Sequence, residues 1–168
     1  GATATSLTAT CTVNSIPVPI PATVTASISP NPVVAGSPYT LSPLILDTQV
    51  TNANSTIAAL PAGTVLDISF TASAQVTGAS PAAATATFTG SATIPSGFAS
   101  PPGQSVPLHM VGTSPVLTAS TGVTSTSVAV TGEGTILVHV GGGLNLTLNG
   151  TCAGGSPITI ATGSVVPP

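Results

Sequence analysis

The sequence predicts an all-β fold: a two-sheet antiparallel sandwich, immunoglobulin-like or related, with about nine to eleven strands. Three observations carry this expectation. Apolar residues recur at every second position over long stretches, the period of a half-buried strand. Thr and Val, whose branching suits a pleated surface, dominate those stretches, while Gly and Pro interrupt them at short intervals. No segment carries a 3.6-residue apolar stripe with caps, so no long helix is expected.

The elements follow in order. Over 3–13, Leu7, Ala9, Cys11 and Val13 share one face, with Thr8, Thr10 and Thr12 opposite. A second strand is expected over 18–28 and a third over 44–52. The clearest alternation lies over 64–76, where Leu66, Ile68, Phe70, Ala72, Ala74 and Val76 oppose Asp67, Ser69, Thr71, Ser73 and Gln75. It repeats over 83–94, with Ala84, Ala86, Phe88, Ala92 and Ile94 facing one way. Further strands are expected at 105–111, 115–119, 123–131, 134–140, 143–152 and 157–162. Turns are marked by Ser29-Pro30-Asn31-Pro32, Pro61-Ala62-Gly63, Gly78-Ala79-Ser80-Pro81, Pro101-Pro102-Gly103 and Gly141-Gly142-Gly143. Neither a linker nor a fixed-period repeat is evident, so residues 1–168 are read as one domain.

The 2 cysteines, Cys11 and Cys152, sit near opposite ends of the sequence, with no C-x-x-C or zinc spacing. Cys152 is in phase with Leu144, Leu146 and Leu148, so both sulfurs point inward. A disulfide across the core, tying the first strand to a late one, is the expectation; two free buried thiols are the alternative.

Composition excludes several functions. The chain has no Lys and no Arg, and its only acids are Asp47, Asp67 and Glu133. Nucleic-acid binding and attachment to anionic membranes need cations that are absent. A hydrophobic fraction of 42% with a small net charge opposes disorder. No run of eighteen apolar residues predicts a transmembrane helix. The start lacks the basic and apolar regions of a signal peptide, so Gly1 is expected to be the mature terminus of a secreted protein.

Catalytic material is scarce, and no enzyme is expected. Asp47, Asp67 and Glu133 read as surface groups, Glu133 in a Gly132-Glu133-Gly134 turn. His109 and His139 read as ordinary strand histidines. There is no G-x-S-x-G elbow, no D-x-D cation site and no phosphate loop, so no metal and no cofactor is expected. Asn54-Ser55-Thr56, Asn145-Leu146-Thr147 and Asn149-Gly150-Thr151 match the N-glycosylation pattern.

The missing charges favour association between copies. Sheet edges are usually guarded by Lys, Glu or proline. Here proline is the available guard, at Pro17, Pro19 and Pro21 and then at Pro30, Pro32, Pro38 and Pro43. Weak repulsion between copies points to an extracellular structural protein, a self-assembling homo-oligomeric subunit of a surface filament, pilus or coat. Three alternatives remain open. A surface adhesin or carbohydrate-binding module contacting envelope glycans is disfavoured by the lack of aromatic platforms. An outer-envelope β-barrel pore is disfavoured by the lack of aromatic girdles. An ice-binding face would use Thr arrays such as Thr8-Ala9-Thr10-Cys11-Thr12.

From Cys11 through Pro17-Val18-Pro19-Ile20-Pro21 to Ser29-Pro30-Asn31-Pro32-Val33-Val34-Ala35-Gly36, the sequence resembles secreted Ala/Thr-rich cell-surface β-sandwich domains of actinobacteria. Their pattern is an early Cys, a Pro-rich strand and a second Cys near the end. The resemblance implies an extracellular envelope protein without known chemistry. The lack of Lys and Arg departs from that pattern.

Overall fold

Alternation over such lengths leaves each strand one apolar face, and with no helix among the described residues those faces are buried against other strands. The computed structural model describes residues 3–13, 15–51, 60–98, 103–141 and 146–168. The strands are β1 (Thr3–Val13), β2 (Ile16–Ser29), β3 (Val33–Val34), β4 (Pro38–Thr51), β5 (Val65–Thr77), β6 (Ala79–Ser80), β7 (Ala83–Thr93), β8 (Ser105–Thr113), β9 (Leu117–Ala119), β10 (Ser125–Val140), β11 (Leu146–Ala153) and β12 (Ile158–Val166).

The all-β, antiparallel class is the one expected. The two layers, however, are hydrogen-bonded into each other. The pairing order runs β11-β1-β2-β4-β8-β7-β5-β10, and β11 pairs with β10 as well. Eight strands therefore close a ring, and within it every neighbour is antiparallel. Alternation shows which residues face inward but not which strands meet, so closure was not visible in the sequence.

The ring closes along only part of its length. From Gly134 to Val140, β10 pairs with β11. From Ser125 to Val130 it pairs with β12 instead. The change of partner falls at Gly132-Glu133-Gly134, which is a bulge inside one continuous strand rather than the expected turn between two. Along β5 the register passes from Ala74 to Ala72 while β10 passes from Val130 to Gly134. Gly134 is required there, because a Cβ on it would stand 1.9 Å from the Thr71 carbonyl oxygen. At this end β3 joins β12 in parallel, and β9 links β4 to β6.

The phase of β4 also changes. Tyr39 and Leu41 are buried, then Leu44 and Leu46. A register shift against β2 between Ala26 and Ile28 absorbs the odd residue. All the buried apolar side chains form one cluster.

The cysteines form the expected disulfide, Sγ–Sγ 2.03 Å. Both are buried on the inner face, but the bond does not cross the core. Cys11 and Cys152 are direct partners in the β1–β11 ladder, a ladder of four pairs from Thr10↔Ala153 to Val13↔Gly150. The bond therefore fastens the ring where its first and one of its last strands meet.

Candidate ligand-binding site

The ring does not pack solid along its whole length. Inside the half closed by β11 lies an apolar cavity of about 370 Å³. Its walls are inward residues of the alternating strands: Leu7 and Ala9 from β1, Val18 and Ile20 from β2, Leu66, Ile68 and Phe70 from β5, Leu108 and Met110 from β8, Ile136 and Val138 from β10, and Leu148 from β11. Cys11 lies in the same lining. None of the lining residues carries an ionisable side chain.

On the side of β2 and β4 the lining includes exposed residues, Pro19, Pro21, Gln49 and Thr51, with Thr48 and Val50 beside them. The β2–β4 ladder ends at Thr23↔Asp47. Below it β2 remains fully paired with β1, from Thr3↔Ala26 to Val13↔Ile16. A proline has no N–H to donate. For the β1–β2 ladder to run through Pro17, Pro19 and Pro21, their nitrogens must face away from β1, toward β4. Continued register would oppose Pro21 to Gln49 and Pro19 to Thr51. The donors β4 would need from β2 are absent at those positions. Spaced two apart, the prolines strip one edge of a strand and leave the other intact. Thr48 bridges the parted strands, donating from Oγ1 to the Pro21 carbonyl at 2.7 Å. Pro17, Pro19 and Pro21 were expected to guard a sheet edge; β2 is instead an interior strand between β1 and β4, and its prolines line a seam in the barrel wall.

The outer face is polar. Thr8, Thr10 and Thr12 on β1, and Asp67 and Ser73 on β5, are exposed. This polarity, apolar inside and hydroxylated outside, is the reverse of a lipid-embedded barrel.

The aspartates and histidines lie on that outer face. Asp47 and His109 are partners in the β4–β8 ladder, with His109 Nδ1 2.6 Å from Asp47 Oδ1. Asp67 and His139 are partners across β5 and β10, at 3.9 Å. Ser91 donates to Asp67 Oδ1 at 2.5 Å. The carboxylate stands between the serine and the histidine, so the hydroxyl does not meet the imidazole and the order is not that of a nucleophilic triad. The sequence did not foresee these pairs, because each joins residues of different strands. Glu133 is exposed on the β10 bulge. No group of three metal-ligating side chains occurs among the described residues.

Tyr39 is buried at the opposite end of the molecule. Thr126 donates to the Thr77 carbonyl at 3.0 Å, so its oxygen accepts from the Tyr39 hydroxyl, at 2.5 Å. Burial pushes the Tyr39 pKa above its ordinary value.

Of the sequons, Asn149 is exposed on the outer face of β11, in a shallow groove with Thr12, Thr71, Thr135 and Leu137. Asn54 and Asn145 lie outside the described residues. No helix among the described residues is long and apolar enough to cross a membrane.

No protein-family model matches the chain, and no curated protein matches it. Among solved structures it is similar to a Corynebacterium diphtheriae protein described as membrane-anchored, with a TM-score of 0.54 and 14% identity. The match covers 100% of this chain and 38% of that one, so the chain spans well under half of its neighbour's length. At this identity the likeness concerns the fold.

Proposed function

We propose that this chain is an extracellular or cell-surface binding protein for apolar molecules, which it holds inside the barrel without chemical change. The cavity carries the reading. A folded interior normally packs to crystal-like density with few voids larger than a water. An apolar space of about 370 Å³ falls in the range of small-molecule sites, roughly 300–1,000 Å³. A lining without ionisable groups supports binding over catalysis. The disulfide supports an oxidising compartment, and the membrane-anchored neighbour is in keeping with a place at the cell surface.

The test is binding of a neutral fluorescent probe, N-phenylnaphthylamine, to the oxidised protein, together with solvent extraction and mass spectrometry of what co-purifies. Val18→Trp combined with Leu148→Trp fills the cavity from two walls. This variant is expected to keep the wild-type melting temperature and lose probe affinity by about tenfold or more. Equal binding by the filled variant, or none by the wild type, would overturn the reading.

A self-associating subunit of a surface filament or coat is the second reading. Its supporting observation is the near absence of charge, which leaves little repulsion between copies. Ring closure weakens its other premise, since the paired strands of the barrel offer few free edges. Light scattering at rising concentration separates the two: a monodisperse monomer counts against assembly and leaves the cavity reading intact.

A further inference from the structure

Resting on the binding reading, we infer that the β2–β4 seam is the mouth of the cavity and that it selects a single-chain amphiphile with an uncharged, hydrogen-bonding head.

The space determines the tail. At about 30 Å³ per methylene-sized group, close to the share of one water in the liquid, a cavity of about 370 Å³ takes about a dozen such groups. That suits one chain of about twelve carbons. The seam determines the head. A molecule entering there passes between two backbone edges that do not pair. On the β2 side the Pro21 carbonyl already accepts from Thr48, the Pro19 carbonyl faces the same seam, and the proline nitrogens donate nothing. On the β4 side, Gln49 and Thr51 direct backbone groups toward β2, because Gln49 faces Pro107 across the β4–β8 ladder and Pro107 has no N–H to give. Their exposed side chains add an amide and a hydroxyl. A hydroxyl or ester head satisfies both edges.

Charge determines what is refused. The chain holds no Lys or Arg to pair with a carboxylate or phosphate. The nearest ionisable group on β4 is Asp47, already held by His109. An anionic head would lose its hydration without gaining a cation. A cationic head would compete with His109 for one exposed carboxylate.

The test compares heads on one tail. Dodecanol, dodecanoyl glycerol, dodecanoate and dodecyltrimethylammonium each displace N-phenylnaphthylamine from the oxidised protein at neutral pH. The first two are expected to bind at least about tenfold more tightly than the charged pair. Equal affinity for dodecanoate or the ammonium overturns the inference about the head, while probe binding still upholds the cavity. No probe binding at all overturns the cavity reading itself.

The mouth is tested by kinetics. Pro19→Thr with Pro21→Thr restores two donors and lets β2 pair with β4. Entry and exit of dodecanol are expected to slow by about tenfold, and its advantage over dodecanoate to shrink, because the paired edges no longer meet the hydroxyl. Gln49→Trp, a substitution at an exposed position, obstructs the same opening without altering the ladders and serves if the threonine variant does not fold. Unchanged rates in a folded variant place the mouth elsewhere and overturn it.

Discussion

Reduction of the Cys11–Cys152 bond is expected to lower stability by about 5 kcal/mol. The bond joins residues 141 apart. In the chain-entropy account, a loop of that size removes close to 5 kcal/mol of freedom from the unfolded chain. Comparing oxidised with reduced wild type isolates this contribution, because the side chains are otherwise the same. With a urea slope of about 2 kcal/mol/M, the unfolding midpoint should fall by about 2.5 M. The slope itself should rise slightly, since an uncrosslinked chain unfolds further. Circular dichroism follows the strands through the transition. The double substitution Cys11→Ala and Cys152→Ala should lose the same amount plus about 1–2 kcal/mol for sulfur volume removed from the cavity wall. The native state adds a second consequence. The β1–β11 ladder has four pairs, so the reduced protein holds its ring there by backbone alone. Probe affinity should fall on reduction even where the protein remains folded. A midpoint shift under about 0.5 M would refute the entropic argument, and full probe affinity in the reduced protein would refute a role for the bond in shaping the cavity.

Other perturbations read other parts of the fold. Tyr39→Phe leaves the Thr126 oxygen without its donor and should cost about 1–2 kcal/mol, seen as a lower urea midpoint. Because the folded pKa of Tyr39 is raised, its contribution is complete below about pH 10 and is lost as pH climbs toward the folded value. With no Lys, no Arg and both cysteines oxidised, no other side chain ionises in that range. Wild-type midpoints should therefore fall between about pH 9 and about pH 11, and those of Tyr39→Phe should stay level. Gly134→Ala drives a methyl into the Thr71 carbonyl at the β10 bulge and should destabilise by about 3 kcal/mol or more. Gly155→Ala, where a Cβ meets nothing within 4 Å, should stay within about 0.5 kcal/mol in the same denaturation assay.

Much of the fold was legible because period-two alternation speaks directly about burial. Leu66 through Val76 are buried in the phase their spacing gave, and β1 has the bounds expected of it. The misreadings fall where a strand breaks its own period. Gly132-Glu133-Gly134 carries turn residues, yet it is a bulge at which β10 exchanges one partner for another. Residues 38–43 looked like loop because Pro38 and Pro43 flank a phase change within β4. The short β3 and β6 have no period to detect. The site was less legible, for a different reason. Ile68 or Leu108 looks the same in a sequence whether it touches another side chain or lines a void. The meaning of Pro17, Pro19 and Pro21 depended on which strand faced them, and that is a matter of register. Asp47 with His109, and Asp67 with His139, are likewise products of strand pairing alone.

The missing cations bear on the binding site as much as on the surface. Both histidines and both aspartates are taken up in cross-strand pairs on the outer face. What remains for the mouth is a weak field, with selection left to shape and hydrogen bonds. Charged sites that recruit ligands electrostatically lose rate steeply as salt shortens the screening distance from about 30 Å at 0.01 M to about 8 Å at physiological strength. This barrel should not. Association of the charged members of the series, dodecanoate and dodecyltrimethylammonium, measured by stopped-flow displacement of the probe, is expected to change by less than about twofold over that salt range. A tenfold fall would mean that charge guides entry, and the seam of prolines would then be an opening whose selectivity lies elsewhere. A flat response would leave the unpaired edges of β2 and β4 as the groups that sort what enters.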